Sequence, residues 1–129
     1  MSKYQHIVIP EGDLIQVDST GKVTTPDKPI ICFIEGDGIG PDIWRAAQRI
    51  FDATVKHCYG EKRAISWMEI FAGEKANGIY GAYLPEETLD AIREYEVLLH
   101  VRGQVAGAGD RVSQRNPAFG RSRYYRTRQ

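Results

Sequence analysis

The sequence predicts an α/β fold, in which a partial doubly wound and largely parallel sheet is built in the order β-α-β-α-β. Ile30–Ile34 is a run of five apolar residues without alternation, which is typical of a strand buried on both faces. A glycine-rich turn and a stretch of helical spacing follow it directly. A second unbroken apolar run at residues 97–101 predicts another buried strand of the same sheet.

The elements between these strands follow from spacing and turn residues. Residues 41–58 predict a helix with Pro41 in its first turn, and residues 64–71 predict the next strand. Residues 73–83 predict a loop or broken helix, and residues 84–95 a helix whose apolar face holds Leu84, Leu89 and Ile92. The side chains predicted to share one face of the first helix are Ile43, Ala47, Ile50, Phe51, Ala53, Val55 and Cys58.

Both ends of the chain differ from this pattern. Short β-prone runs at residues 7–9 and 14–17 predict a small antiparallel β piece before the sheet. The segment through Val101 carries a net charge of −6, whereas the arginine-rich segment after it carries +6. We therefore predict two parts, an α/β part at residues 1–101 and a disordered basic tail at residues 102–129.

Composition excludes several classes of protein. Cys32 and Cys58 are predicted to be reduced core thiols, and the three histidines are dispersed, so no disulfide or metal cluster is expected. No apolar run is long enough to span a membrane, and the N-terminus lacks a secretory pattern. These features predict a cytoplasmic protein with no membrane partner.

The turn at residues 35–41, Glu-Gly-Asp-Gly-Ile-Gly-Pro, is the most informative motif. Its alternating glycines allow a sharp bend and a close approach to a ligand, so it is either a nucleotide-binding turn or only a tight connection. It is not the Rossmann fingerprint, because Pro41 stands where the third glycine would fall. Glu35 and Asp37 are candidate acid–base groups, but a structural role bonding backbone N–H groups is favoured.

This turn resembles the loop that opens the isocitrate and isopropylmalate dehydrogenase family. Residues 65–70 (Ile-Ser-Trp-Met-Glu-Ile), 72–76 (Ala-Gly-Glu-Lys-Ala) and 84–95 are similar to the bacterial-type NADP isocitrate dehydrogenases within it. The resemblance covers about residues 4–97. A related isopropylmalate-type dehydrogenase fragment is the alternative within the family, although those enzymes lack the Ser-Trp-Met-Glu and Gly-Glu-Lys motifs.

The resemblance implies an oxidoreductase that converts isocitrate and NADP⁺ to 2-oxoglutarate, CO₂ and NADPH. It further implies a homodimer and a divalent metal, Mg²⁺ or Mn²⁺. Ile39 is the expected apolar contact to the adenosine end of NADP, with Gly38 and Gly40 beside it as further cofactor-binding candidates. No catalytic residue and no metal ligand of the family has a counterpart in this chain.

The resemblance ends after the third strand, where the family's Lys-Gly-Pro turn and its threonines are replaced by residues 100–106, His-Val-Arg-Gly-Gln-Val-Ala. Ser113 falls near the family's substrate-binding serine, but Val112 and Gln114 do not match, so coincidence is favoured. We therefore expect an N-terminal fragment with a frameshifted or truncated end, inactive on isocitrate by itself.

The composition of the basic tail also allows a different class of function. Its seven arginines, interleaved with Phe119, Tyr124 and Tyr125, are typical of segments that bind nucleic acid. The alternative function is accordingly a small α/β binding module with a nucleic-acid-contacting tail. Out-of-frame sequence without selected function is favoured over it, so nucleic acid is not the expected partner.

Overall fold

The computed structural model describes residues 3–100, and the predictions for the basic tail and Ser113 lie outside this range. The α/β class is confirmed. Along the chain the elements are β1 (Gln16–Val17), β2 (Val23–Thr24), β3 (Ile30–Ile34), α1 (Gly40–Tyr59), a 3₁₀ turn (Gly60–Lys62), β4 (Ser66–Glu69), α2 (Glu74–Tyr80), α3 (Glu86–Tyr95) and β5 (Leu98–His100).

The main sheet has the order β4-β3-β5, and both pairings are parallel. In register, Phe33 of β3 lies opposite Glu69 of β4 and Leu99 of β5. The central position of β3 explains its unbroken apolar run, since both of its edges are paired and both of its faces are covered. The carboxyl ends of all three strands lie at one edge of the sheet, and the loop at residues 35–41 starts there.

One face of the sheet is covered by α3 and by the segment before β1. Thr88 of α3 is fully buried, and its hydroxyl donates to the Phe71 carbonyl at 2.7 Å and accepts from the Phe71 N–H at 3.3 Å. These bonds attach the helix to the chain just after β4. The buried core on this face consists of Tyr4, Ile7, Ile30, Cys32, Ile34, Met68, Ile70, Ala91 and Tyr95.

The opposite face is covered by α1 through aromatic packing. The ring of Trp44 stacks on Phe33 with centroids 4.2 Å apart and meets Trp67 edge-on at 5.0 Å. Trp67 also contacts Phe51 and donates its indole N–H to Asp52 at 2.8 Å. Trp44 is only 2% exposed, so this side chain, which the predicted apolar face did not include, fixes the helix to the sheet.

The predicted buried face of α1 is wrong over much of its length. Ile43, Ile50 and Phe51 are 44%, 67% and 39% exposed, and Cys58 is exposed, whereas Cys32 is buried as predicted. The reason is geometric: a helix of 20 residues is about 30 Å long, while a strand of five residues spans only about 17 Å. Three short strands cannot cover the whole helix.

The N-terminal β piece is partly as predicted. β1 and β2 pair antiparallel around a turn in which the Asp18 carboxylate accepts from the N–H groups of Thr20 and Lys22. Residues 7–9 form no strand, and that prediction is wrong. Ile7 is instead buried in the core while Val8 is 79% exposed. The residues just before it lie along α3, where Tyr4 bonds Glu94 and the His6 N–H donates to Glu87.

The region between β4 and β5 contains two helices. The predicted loop or broken helix is the short helix α2, which ends at Gly81 in the left-handed conformation. The prediction of a helix at residues 84–95 is confirmed as α3, although Pro85 is its N-cap and the most buried side chains are Thr88, Ala91 and Tyr95. Within residues 3–100, no helix is both long enough and apolar enough to cross a membrane.

Candidate functional site

The loop at residues 35–41 turns the chain from the carboxyl end of β3 into α1. Gly36 and Gly38 have φ angles of 75° and 60°, in the left-handed region that side chains other than glycine rarely adopt. Two of the three alternating glycines are therefore required by backbone conformation. They give the loop its sharp bend at the edge of the sheet.

Gly40 has a different role. A Cβ atom at this position would lie 2.2 Å from the carbonyl oxygen of Glu35, far inside contact distance. The Gly40 N–H donates to the Asp37 carbonyl at 3.0 Å, and Pro41, next in the chain, has no N–H. The third glycine thus allows the start of α1 to pack against the end of β3, and its N–H is already bonded.

The outer part of the loop faces solvent. Ile39 is 65% exposed, and Gly38 is also exposed, whereas Gly40 is buried. Of the three predicted cofactor-binding residues, the structure therefore brings Gly38 and Ile39 to an accessible position and places Gly40 beneath them. Contact of any of the three with a cofactor stays a prediction.

Asp37 and Glu35 both have structural partners from the start of α2. Both carboxylate oxygens of Asp37 lie 3.1 Å from the backbone nitrogen of Glu74. Gly73 leaves room for this carboxylate, because a Cβ atom there would lie 2.3 Å from one of its oxygens. Glu35 accepts a hydrogen bond from Lys75 at 2.7 Å. The favoured structural role fits both acids, but their partners come from another segment of the chain, and that of Glu35 is an ammonium group.

Lys75 is the residue at this site that sequence reasoning missed. Its ammonium group contacts the carboxylates of both Glu35 and Glu69, and it lies 5.5 Å from the centre of the Phe71 ring. Partial burial lowers the pKa of Lys75, but the hydrogen bonds to the two carboxylates outweigh it and raise the pKa above its ordinary value. The lysine therefore stays charged at neutral pH and balances two acids at neighbouring strand ends.

No metal centre accompanies the loop in the part of the chain that the structure describes. Residues 3–100 contain no group of three histidine, cysteine, aspartate or glutamate side chains that could hold a metal ion. A hard cation such as Mg²⁺ needs several oxygen ligands in one place, and Glu35 and Glu69 are already engaged by Lys75.

A cavity of about 680 Å³ elsewhere on the surface is lined by none of the loop residues. It lies between the N-terminal segment and α3, where Glu94 accepts hydrogen bonds from the Lys3 ammonium and the Tyr4 hydroxyl, both at 2.5 Å. These bonds lower the pKa of Glu94 below its ordinary value. The bonds of Lys3 and Tyr4 to Glu94 in the cavity wall therefore attach the N-terminal segment to α3.

Comparison with known proteins connects the loop to a family. The family model described as isocitrate/isopropylmalate dehydrogenase matches residues 30–117, which include the loop and continue past the change in charge at residue 101. The resemblance over residues 4–97 did not anticipate that continuation. The match covers more than half of the chain.

Bacterial proteins named isocitrate dehydrogenase (NADP) are similar to this chain. The one from Coxiella burnetii is 52% identical over 99 residues, which cover 74% of this chain and 23% of the relative. Those from Pseudomonas aeruginosa and Staphylococcus aureus strain Mu50 are 48% and 51% identical, and cover 23% and 19% of the relatives. The chain spans less than a quarter of the length of these relatives. It belongs to the isocitrate/isopropylmalate dehydrogenase family.

Proposed function

We propose that the whole protein is an NADP-dependent isocitrate dehydrogenase, which oxidises isocitrate and releases 2-oxoglutarate and CO₂. Relatives named for this activity share about half of their aligned residues with the chain. The observation that carries the proposal is the solvent-facing tip of the loop, Gly38 and Ile39, at the carboxyl edge of a parallel sheet. Ligands of open α/β sheets bind at this edge.

NADP⁺ is the cofactor we propose for this loop. When bound, it supplies the acceptor for the hydride that leaves the alcohol carbon of the substrate. Ile39 would pack against the adenosine end and exclude water from it, because its side chain is 65% exposed and accessible to a ligand. Gly38 has no Cβ, so a ligand can approach its backbone closely. Gly40 would act indirectly, by holding the start of α1 against the strand.

Residues 3–100 contain no group of three histidine, cysteine, aspartate or glutamate side chains that could hold the metal of the family. We propose that the Mg²⁺ or Mn²⁺ ligands, and the groups that move protons, belong to the large part of the relatives that this chain does not match. We also propose that the whole enzyme is a homodimer and works in the cytoplasm. The isolated chain is accordingly expected to reduce no NADP⁺ with isocitrate.

A chimeric enzyme tests the proposal. Residues 4–97 of this chain would replace the corresponding segment of the Coxiella burnetii isocitrate dehydrogenase, which is 52% identical. We expect the chimera to reduce NADP⁺ with isocitrate at a rate within about tenfold of the parent, a change of about 1.4 kcal/mol in barrier. A folded chimera without activity would contradict the proposed function.

The role of the tip is tested in the same chimera by Ile39→Ser, with Ile50→Ser as the matched control. Both isoleucines are on or next to α1, and they are 65% and 67% exposed. Ile39 is the N-cap of α1, where serine is favoured, so the variant retains the helix. Loss of the apolar contact should raise the KM for NADP⁺ about tenfold without changing the KM for isocitrate. Equal effects of the two variants would contradict the assigned contact.

A further inference from the structure

The glycine loop is held at two points by consecutive residues of one other segment. Glu35, at the start of the loop, contacts Lys75, and Asp37, in its middle, accepts from the Glu74 N–H. Both partners lie in the first turn of α2. Lys75 comes 40 residues after Glu35, and Glu74 comes 37 residues after Asp37. We call the whole group the loop clamp; it consists of Glu35, Asp37, Glu69, Glu74 and Lys75.

Charge explains why Lys75 is central to the loop clamp. Glu69 ends β4, and Glu35 follows the end of β3, so the parallel register brings two carboxylates close together at one edge of the sheet. Their side chains are 32% and 20% exposed, which limits how far water can screen the repulsion between them. The Lys75 ammonium contacts both, so its removal would leave two partly buried negative charges unbalanced.

A displacement of Glu35 would reach the tip of the loop through direct contacts. The carbonyl oxygen of Glu35 is the atom against which Gly40 packs, and the Gly40 N–H is bonded to the carbonyl of Asp37. Ile39 lies between Asp37 and Gly40 in the chain and is the N-cap of α1. Since a packed backbone of this kind has little free space, a shift at Glu35 moves the start of the helix as well.

We propose that Lys75 is a positioning residue for cofactor binding, which holds the glycine loop in the conformation that presents Gly38 and Ile39 to the ligand. The effect of Lys75 on cofactor binding rests on the proposed function. Its structural part, the effect on the conformation of the glycine loop, does not depend on that function. Lys75 itself is bonded to carboxylates and touches no cofactor in this scheme. Its effect is transmitted through Glu35 to the two residues at the tip.

The structural part is tested on the full chain without any nucleotide, by backbone amide hydrogen exchange. Lys75→Met removes the charge and keeps the length of the side chain, Lys75→Arg keeps the charge, and Lys56→Met is the matched control. Lys56 forms an ion pair with Glu61 at 3.0 Å at the far end of α1. The informative amides are Gly40 and Glu74, which are bonded to Asp37, and Cys32, which is bonded within the sheet.

We expect Lys75→Met to accelerate exchange at Gly40 and Glu74 roughly five- to tenfold and to leave Cys32 unchanged, since a partly buried charge network contributes more than an exposed pair. Lys75→Arg should restore exchange to within about twofold, and Lys56→Met should have no effect at these amides. Unchanged exchange at Gly40 and Glu74 would overturn the proposal. Equal acceleration at Cys32 would also overturn it, because Lys75 would then contribute only to general stability.

The functional part uses the chimera described above. Lys75→Met should raise the KM for NADP⁺ several-fold while the KM for isocitrate stays the same, and Lys75→Arg should reverse most of this change. If Lys75→Met loosens the loop but leaves the KM for NADP⁺ unchanged, the positioning role is refuted. If the unsubstituted chimera is inactive, the proposed function fails, while the exchange experiment still decides the structural part.

Discussion

Two glycine-to-alanine substitutions in helices should change stability in opposite directions. Gly40 begins α1, and a Cβ there would lie 2.2 Å from the Glu35 carbonyl oxygen and 3.2 Å from its carbonyl carbon. Gly78 lies inside α2, and a Cβ there would meet no atom within 4 Å. Neither residue has a positive φ, so the two sites differ in space and not in backbone conformation.

The expected magnitudes follow from this difference. Gly40→Ala must push the start of α1 away from β3 by about 1 Å, and overpacking of this kind costs about 1–3 kcal/mol. Gly78→Ala gains helix propensity without a clash and should raise the free energy of unfolding by about 0.5–1 kcal/mol. For a domain of this size, each kcal/mol shifts the Tm by about 4–8 °C.

Urea unfolding followed by tryptophan fluorescence measures both variants. Trp44 is 2% exposed, lies in the first turns of α1 and stacks on Phe33, and it meets Trp67 of β4 edge-on. The emission of these two tryptophans therefore reports the contact between the helix and the sheet. A Gly40→Ala variant as stable as the unsubstituted chain, beside a stabilised Gly78→Ala variant, would refute this prediction. The close approach of Gly40 to Glu35 would then not exist in solution.

Two further predictions concern titratable groups. Burial raises the pKa of the Cys32 thiol to about 12. A thiol reagent at neutral pH should therefore modify only Cys58 in the folded chain and both thiols in urea. Rapid reaction of Cys32 in the folded chain would contradict its burial. The pKa of Glu94 is lowered in the folded chain, so this group stabilises the fold at pH values above 4.5, its ordinary pKa. The contribution is lost as the pH falls from 4.5 through the lowered pKa. Glu94→Gln should therefore flatten the acid side of the profile of unfolding free energy against pH, by less than about 1 kcal/mol, and an unchanged acid side in this variant would contradict the assigned bonds.

The order of strands and helices followed from the sequence because it depends on local patterns. The unbroken apolar run Ile30–Ile34 has one stable environment, a strand covered on both faces, and the structure places it at the centre of the sheet. The glycine loop was recognised for the same reason, since Gly36 and Gly38 do adopt positive φ angles. Backbone requirements of this kind are encoded by the residues themselves.

Burial along α1 could not be predicted in the same way. Helical spacing identifies an apolar face, but the face is buried only where another element covers it. The described sheet has three short strands, so Trp44 is covered while Ile50 is 67% exposed. The prediction of a strand at residues 7–9 was wrong for a similar reason. This β-prone segment has no strand partner, and it packs the side chain of Ile7 into the core instead.

By itself the sequence determined the α/β class, the positions of the main turns and the family to which the loop belongs, because each depends on residues close together in the chain. Only the tertiary structure decided that Lys75 joins Glu35 to Glu69 and that Glu74 bonds Asp37. Those partners are separated by up to 40 residues, and they meet because parallel strands end at one edge of the sheet. The distinction between Gly40, buried against Glu35, and the exposed Ile39 has the same origin.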